Sequence, residues 1–257
     1  MIELQNITKR FNAGTVDELI LFQNFGFQIG EGDFVSVIGS NGSGKTTLLN
    51  LICGFTSPDS GQILLDGKDI TKMQEYRRSR FIGRVFQDPK AGTCPQLTIA
   101  ENMALADNKN RRYSLTPAVS KNRMAHYRAL LETCGMGLEN RMGTLAGTLS
   151  GGQRQALALV IACMTDIRML ILDEHTAALD PKSSETVMEL TDRYVKEKKI
   201  TTLMVTHNLR FALKYGNRLV MMHQGEIVRD LTGTEKQQAN IDDLLQTFNQ
   251  ISIECGN

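Results

Sequence analysis

The sequence predicts an α/β fold with a mostly parallel sheet, and three observations support this class. Apolar strand-like segments alternate with helix-like segments through much of the 257-residue chain. A glycine-rich loop separates one of these strands from a helix, and a pair of acidic residues ends another strand. Alternating strands and helices of this kind form βαβ units, in which the strands run parallel.

The first third of the chain is rich in β-forming residues bounded by glycine and aspartate. The earliest segments alternate polar and apolar side chains, as a half-exposed antiparallel layer requires. A nearly continuous apolar run follows, then the glycine-rich loop, and then helical apolar spacing from Thr46 to Cys53 that ends at Gly54. The predicted strands are Ile2–Ile7, Leu19–Ile29, Phe34–Ile38, Gln62–Leu65 and Ile82–Phe86.

The segment between Gln87 and Leu149 is rich in helix formers. Amphipathic spacing runs from Ser120 to Cys134 and stops at Gly135, which is typical of a helix C-terminus. We therefore expect a helical lobe that is inserted into the core of the fold.

Strand-like segments return after this lobe, with predicted helices at Pro181–Lys198 and Asn208–Tyr215 between them. The last stretch, Thr234–Gln250, predicts a helix that packs on the domain, because four apolar residues share one face. These residues are Ile241, Leu244, Leu245 and Phe248. The predicted strands are Met169–Leu172, Thr202–Val205 and a hairpin of Arg218–Met222 and Glu226–Val228 around Gln224-Gly225.

The charge balance argues against a polyanion as partner. Lys and Arg total 29 and Asp and Glu total 28, so the net charge of +1 gives no long-range field that favours nucleic acid or anionic lipid. The cysteines have no C-x-x-C spacing, which favours reduced thiols over a disulfide framework and suggests no zinc site. They are Cys53, Cys94, Cys134, Cys163 and Cys255.

Two features bear on membrane association. The N-terminus lacks the basic start and apolar stretch of a signal peptide. The longest apolar run, Ala156–Met164, is nine residues, whereas about 20 are needed to span a bilayer. We therefore expect any membrane association to come through a partner.

The glycine-rich loop fits the phosphate-binding pattern G-x-x-x-x-G-K-[ST] at a strand-to-helix junction. Backbone N–H groups of such a loop converge on phosphate oxygens at a helix N-terminus. Lys45 would reach the β- and γ-phosphates, and the Thr46 hydroxyl would ligate Mg²⁺. The alternative, a glycine-rich turn with a solvated lysine, does not account for the flanking elements. The predicted nucleotide-binding residues are Gly39, Ser40, Asn41, Gly42, Ser43, Gly44, Lys45, Thr46 and Thr47.

Two acids end the apolar strand that begins at Arg168. Carboxylates at the carboxyl end of a parallel strand lie where ligands bind in such sheets. Asp173 would belong to the Mg²⁺ shell, and Glu174 would polarise the attacking water as a general base. Without the phosphate loop, a plain surface turn would be the better interpretation.

The pentapeptide Leu149–Gln153 opens a long helix, Arg154–Met164. Its Ser-Gly-Gly start exposes backbone donors and a hydroxyl at a positive helix end, so it predicts a second phosphate-binding terminus. The residues assigned to nucleotide are Ser150, Gly151, Gly152 and Gln153. Alone, Ser150 would be a simple N-cap.

With these three motifs in this order, the chain from about Ile2 to Val228 resembles the nucleotide-binding subunit of an ATP-binding cassette (ABC) transporter. The resemblance implies a P-loop NTPase core with a mostly parallel sheet, an antiparallel β lobe near the N-terminus and an inserted α-helical lobe. It divides a single ABC ATPase domain, 1–257, into a core of residues 1–87 and 165–230, a helical lobe of 88–164 that carries the signature motif, and a C-terminal helix in 231–257.

The resemblance also assigns four further residues. Gln87 resembles the family's glutamine that touches Mg²⁺ and relays to the transmembrane partner. Asp180 resembles the aspartate that communicates across the dimer, and His207 resembles the switch histidine that contacts the γ-phosphate. Phe11 stands where the family stacks an aromatic ring on adenine, although it could instead be buried in the antiparallel lobe.

The family implies an assembly. Two copies close head to tail over two ATP molecules, with Ser150 to Gln153 of one copy covering nucleotide at the Lys45 loop of the other. Transmembrane permease subunits and, for an importer, an extracytoplasmic substrate-binding protein would complete the complex at the cytoplasmic face of the cell membrane. The implied cofactors are ATP and Mg²⁺.

Import is the expected direction, since Asp173–Pro181 resembles a group encoded with small-molecule uptake systems, some of them for aromatic amino acids. A soluble single-cassette ABC ATPase, such as an iron–sulfur cluster assembly factor, is the alternative function. An ordinary P-loop kinase would have no use for the Ser150 to Gln153 motif. His175 departs from the family pattern, and we expect it to cap its turn rather than to shuttle protons.

Overall fold

The computed structural model describes residues 1–109 and 119–254, and side chains as far as residue 250. The described chain divides into two compact units. Unit 1 contains Met1–Ser79 and Lys199–Asn257, and unit 2 contains Arg80–Lys198. Strands and helices are numbered in chain order.

The boundaries predicted for the core (1–87 and 165–230) and for the helical lobe (88–164) stay a prediction.

An antiparallel sheet occupies the first part of unit 1. Its four strands follow the order β2-β1-β4-β5. Alternation of polar and apolar residues gives β1 one buried face, and bulges accompany the positive φ of Asn6. The strands are β1 Ile2–Phe11, β2 Leu19–Ile29, β4 Ser60–Leu65 and β5 Lys68–Asp69. The predicted antiparallel lobe is therefore present.

The second sheet of unit 1 is built around β3, Phe34–Gly39, whose residues are all buried. β3 pairs in parallel with β8, Thr201–Val205, on one side and with β9, Arg218–His223, on the other. β10, Glu226–Thr232, continues from β9 as an antiparallel hairpin. The helices of unit 1 are α1 Lys45–Cys53, α2 Glu75–Arg78, α7 Leu209–Lys214, α8 Gly233–Gln238 and α9 Ile241–Glu254.

Unit 2 contains a parallel pair of strands and four α-helices in its described part. β6, Ile82–Val85, pairs in register with β7, Met169–Asp173. The helices are α3 Ile99–Asn108, α4 Lys121–Glu132, α5 Gly151–Cys163 and α6 Pro181–Lys198. Short 3₁₀ turns lie at Leu138–Asn140 and Ala146–Thr148.

Asp107 on α3 joins this helix to α4. Its carboxylate accepts hydrogen bonds from the Arg123 guanidinium, at 2.7 and 2.8 Å, and from the Tyr127 hydroxyl at 2.9 Å. The predicted helical segment is thus confirmed as a set of packed helices.

The predicted strands and helices are present, with differences of three kinds. β1, β4, β10 and α5 extend further than predicted, and the short β5 and α2 were not predicted. The helix predicted over Thr234–Gln250 is interrupted, because Asn240 starts a new helix. The Asn240 side chain accepts from the Asp243 N–H at 2.9 Å, and the Asp243 carboxylate accepts from the Asn240 N–H at 3.1 Å. Apolar spacing alone does not reveal such a reciprocal cap.

The expectation that the last helix packs on the fold is correct for part of its apolar face. Leu244 is fully buried in a cluster with Ile38 and Met221 of the second sheet, and Phe248 packs against this cluster. Leu245, one position along, is 45 % exposed. A step of one residue turns a side chain by about 100° around the helix, so the two leucines face different surroundings.

No helix in the described ranges is both long and apolar enough to cross a bilayer. Cys53, Cys94, Cys134 and Cys163 are free thiols, and Cys255 lies outside the described residues.

Leu244→Ala should lower the free energy of unfolding by about 2–4 kcal/mol, because it leaves a cavity in a fully buried cluster. Leu245→Ala is the matched control, and we expect it to cost less than about 0.5 kcal/mol. Urea denaturation of both variants measures the difference. Equal losses for the two leucines would contradict the packing of α9.

Candidate functional site

The glycine-rich loop of unit 1 joins the end of β3 to the start of α1. Gly44, the N-cap of α1, has a φ of 99°, and Gly42 has a φ of 77°. This left-handed backbone suits glycine, because a Cβ would be strained there. At Gly44 a Cβ would also lie 2.9 Å from the Phe22 ring. Gly44 has no side chain that could cap α1, and the N-terminus of a helix is a favourable place for an anion.

Lys45 folds back over this loop. Its ammonium donates to the Gly39 carbonyl at 2.9 Å and to the Ser40 carbonyl at 2.8 Å, with the Ser43 hydroxyl at 3.5 Å. The residue is 5 % exposed. The loop therefore fixes a largely desolvated cation beside a helix N-terminus, and a phosphate group suits this combination of charge and donors. Asn41, Gly42 and Thr46 are exposed, and Thr47 is half-buried.

The turn of the β9–β10 hairpin packs directly on the loop. The Gly225 N–H donates to the Ser43 carbonyl at 3.1 Å, and the Ser40 hydroxyl lies 3.1 Å from Nδ1 of His223. A Cβ on Gly39 would lie 2.3 Å from the Met222 carbonyl oxygen. The backbone of β9 therefore contacts the backbone of the loop at Gly39, and a residue larger than glycine would not fit at that position.

Sequence reasoning missed this role of the hairpin. Ser40 and His223 are 183 positions apart, and no local pattern connects them.

His207 is the second residue after the end of β8 and is exposed. The Thr206 N–H donates to the Val37 carbonyl of β3 at 3.1 Å, which holds the chain to the sheet just before this histidine. Asn208 then caps α7 by accepting from the Phe211 N–H at 3.1 Å. Because β3 and β8 are parallel, His207 and the glycine-rich loop emerge from the same edge of the sheet.

Phe11 ends β1, where it pairs with Leu19. Its side chain is 37 % exposed, and the Lys9 ammonium lies 5.5 Å from the ring centre. The alternative that Phe11 is buried in the antiparallel lobe is therefore wrong. An accessible aromatic face next to a cation is compatible with stacking on a base.

In unit 2, Asp173 is the last residue of β7, after four buried apolar residues. Its Oδ2 accepts a hydrogen bond of 2.6 Å from Nη2 of Arg84 on β6. Glu174 follows with a φ of 46°, so the chain turns sharply at the end of the strand. The two acids stand at a strand end as predicted. Arg84 was missed, although a lone arginine within an otherwise apolar strand segment is a recognisable signal.

His175 is buried, at 1 % exposure, and does not cap its turn. That interpretation is wrong because the ring points under α6, where Nε2 lies 3.3 Å from the Thr191 hydroxyl. Thr191 donates its own proton to the Val187 carbonyl at 2.8 Å, so the histidine must be the donor to Thr191. Burial lowers the pKa of His175 to about 3, which keeps the ring neutral and unsuited to shuttling protons near neutral pH.

Ser150 starts α5 with a reciprocal cap. Its hydroxyl accepts from the Gln153 N–H at 3.3 Å, and the Gln153 side chain accepts from the Ser150 N–H at 3.3 Å. Ser150 and Gly151 are exposed, whereas Gly152 is buried, and a Cβ on it would lie 2.9 Å from the Ser183 side chain. The predicted helix terminus is therefore present and accessible.

The same helix holds the segment that contains Gln87. Gln155 donates to the Phe86 carbonyl at 2.9 Å, and Nε of Arg154 donates to the Thr93 hydroxyl at 3.1 Å. The exposed Gln87 lies between these two attachments. Arg154 and Gln155 had not been singled out, because their partners cannot be inferred from the sequence around them.

Asp180 is exposed and precedes α6. Its Oδ1 accepts from the Ser183 N–H at 3.0 Å. Hydrogen bonds from Ser183 hold the pKa of the Asp180 carboxyl below its usual range. The structure thus gives Asp180 a local role as a helix cap, and its role across a dimer stays a prediction.

Gly225→Ala should weaken ATP binding about tenfold or more, because a Cβ there would lie 1.7 Å from the Leu21 carbonyl oxygen and would push the hairpin turn off the loop. Gly67→Ala is the matched control. Gly67 has a similar φ of 75° but nothing within 4 Å of a Cβ, so it should cost only the left-handed strain of about 1 kcal/mol. Calorimetry of ATP binding separates the two, and equal affinities would contradict the role of the turn.

The burial of His175 predicts a pH dependence of stability. Its pKa is about 3 in the folded chain, against about 6.5 when unfolded. Between these values the unfolded chain binds the extra proton, so the free energy of unfolding falls as the pH is lowered, by about 1.4 kcal/mol per pH unit at most. His175→Gln, which keeps a donor toward Thr191, should remove this contribution in urea titrations at several pH values. The exposed His126→Gln should leave it in place, and an unchanged slope in His175→Gln would contradict the assignment.

Comparison with known proteins identifies the family. The ABC transporter family profile matches residues 22–177. A tyrosine transport ATP-binding protein of Clostridioides difficile (strain R20291) is 46 % identical over 250 residues, which cover 96 % of this chain and 98 % of the relative. The thiamine import ATP-binding protein ThiQ of Escherichia coli (strain K12) is 34 % identical over 88 % of this chain and 90 % of its own length.

Solved structures agree with this result. A dimeric ATP-binding cassette in a post-hydrolysis state, bound to ADP and Pi, has a TM-score of 0.76 at 30 % identity, covering 90 % of this chain and 98 % of that one. A nucleotide-free cassette from an ABC transporter has a TM-score of 0.80 at 27 % identity, covering 100 % and 99 %. These matches confirm the predicted P-loop NTPase fold and do not favour the iron–sulfur assembly alternative. The chain belongs to the ABC transporter family, as an ATP-binding and ATP-hydrolysing subunit.

Proposed function

We propose that this chain drives an ABC importer for an aromatic amino acid or a closely related small molecule. One observation carries the proposal: the 46 % identity to a tyrosine transport ATP-binding protein extends over nearly the full length of both chains. Import names also occur among more distant relatives, such as the thiamine import protein. The shared length supports a shared subunit organisation as well as a shared ATPase.

We assign ATP binding to the phosphate loop, with the phosphates held by the N-terminus of α1 and by Lys45. The Lys45 ammonium and the N-terminus of α1 lie at the same loop, so both can stabilise the negative charge of a phosphate bound there. His207 would contact the γ-phosphate, and Phe11 would stack on adenine. Gly39, Ser40, Asn41, Gly42, Ser43, Gly44 and Thr47 complete the loop in this assignment.

The proposed metal is Mg²⁺, with Thr46, Gln87 and Asp173 as its protein ligands. A hydroxyl, an amide oxygen and a carboxylate are the hard oxygen donors that Mg²⁺ prefers, so the residues present fit the ion. When bound, Mg²⁺ would neutralise charge on the phosphates. Glu174, at the turn that ends β7, is proposed to orient the attacking water and take its proton.

The proposed assembly contains a second copy of the chain and transmembrane permease subunits. Ser150, Gly151, Gly152 and Gln153 would close over the ATP of the second copy, and Asp180 would communicate across that interface. The exposure of Ser150 and Asp180 supports this role. An extracytoplasmic substrate-binding protein would deliver the substrate, and the chain would work at the cytoplasmic face of the membrane.

A tagged Glu174→Gln chain should hydrolyse ATP at least about a hundredfold more slowly while still binding it, because its general base is lost. It should then accumulate as a closed dimer. Recovered with ATP from detergent-solubilised native membranes, it should bring a multi-spanning protein in similar amount, which mass spectrometry identifies. Tyrosine should raise the ATPase rate of the wild-type complex reconstituted with its binding protein.

Glu185→Gln, on an exposed face of α6, is the matched control and should turn over normally. Normal turnover of Glu174→Gln would remove Glu174 from the base role. Recovery of soluble partners alone would contradict the transporter assignment, and indifference of the ATPase to tyrosine and other aromatic amino acids would contradict the substrate class.

A further inference from the structure

We propose that Arg84 is a positioning residue for Asp173. By holding one oxygen of this carboxylate, it keeps the acidic end of β7 from binding a divalent cation before nucleotide arrives. The inference rests on the proposed function in one respect, the assignment of Asp173 to Mg²⁺.

The register of the strands brings the two side chains together. Arg84 stands opposite Ile171 in the parallel β6–β7 pair. Ile171 and Asp173 are two residues apart, so their side chains lie on one face of β7, and Arg84 reaches diagonally to the second of them. The distance of 2.6 Å from Nη2 to Oδ2 is that of a strong charge-assisted hydrogen bond.

The surroundings strengthen this ion pair. The Arg84 side chain is 11 % exposed and the Asp173 side chain 15 %, so water screens the charges poorly. The guanidinium also lies over the Phe86 ring, 4.9 Å from its centre.

The pair changes the charge at the strand end. Asp173 and Glu174 contribute −2 and Arg84 contributes +1, which leaves −1 for these three residues. A hard cation binds carboxylate oxygens more tightly as their net charge grows, and here it must also compete with a guanidinium for Oδ2. A nucleotide brings negative phosphate oxygens of its own. The cation is therefore expected to enter with ATP rather than ahead of it.

Mn²⁺ is a suitable probe, since free and bound Mn²⁺ are distinguished by electron paramagnetic resonance without nucleotide or turnover. In the full chain, Arg84→Met should bind Mn²⁺ about tenfold more tightly than the wild type, because it removes the competing charge at similar side-chain size. Arg84→Lys, which keeps the charge, should stay within about twofold of the wild type. Arg128→Met, at an exposed position on α4, is the matched control for loss of one positive charge.

Equal Mn²⁺ affinities of Arg84→Met and Arg128→Met would overturn the proposal. Adding Asp173→Asn to Arg84→Met should abolish the gain, and persistence of the gain would equally overturn it. If Arg84→Met folds poorly because Asp173 is left buried without its partner, the double variant should recover the melting temperature, and failure to recover it would argue against the pair. These measurements need no ATP, so they test the role of Arg84 alone. Failure of the wild-type chain to bind ATP would contradict the proposed function and is measured separately.

Discussion

The parallel pairing of β3 with β8 and β9 is the constraint on which the phosphate-binding part of unit 1 depends. Hydrogen bonding aligns Val37 with Val205 and Ile38 with Met221, so the three strands reach the same edge of the sheet together. The glycine-rich loop, His207 and the hairpin turn all begin at that edge. Local chemistry then completes the arrangement, because glycine allows the loop to turn and Lys45 ties it to its own carbonyls.

The parts of the site that could be predicted depend on interactions between residues that are close together in the sequence. The loop needs left-handed residues immediately before a helix, a helix start needs a cap such as Ser150, and a buried strand that ends in acids shows its own boundary. The contacts that could not be predicted join residues far apart in the chain, such as Ser40 with His223 and Arg84 with Asp173. These depend on which strands pair and in what register, which composition and periodicity do not encode.

The C-terminal segment and His175 are two further cases in which the sequence alone did not predict the deciding contact. Apolar spacing predicted one helix across Asn240, but a side-chain cap outweighs periodicity there. His175 was expected to cap its turn, yet α6 covers it and its ring pairs with Thr191. In both cases the deciding interaction involves a polar atom whose partner only the folded chain supplies.

The close contact between the hairpin turn and the phosphate loop also limits how this protein can be altered. A two-residue turn such as Gln224-Gly225, with both residues at positive φ, is ordinarily a surface feature that tolerates inserted tags or extra loops. Here Gly225 is buried, because its N–H donates to the Ser43 carbonyl and its Cα lies against the Leu21 backbone, although Gln224 is exposed. Length variation in this hairpin should therefore be far rarer among functional sequences than in the β1–β2 connection, where the side chain of Val16 is fully exposed.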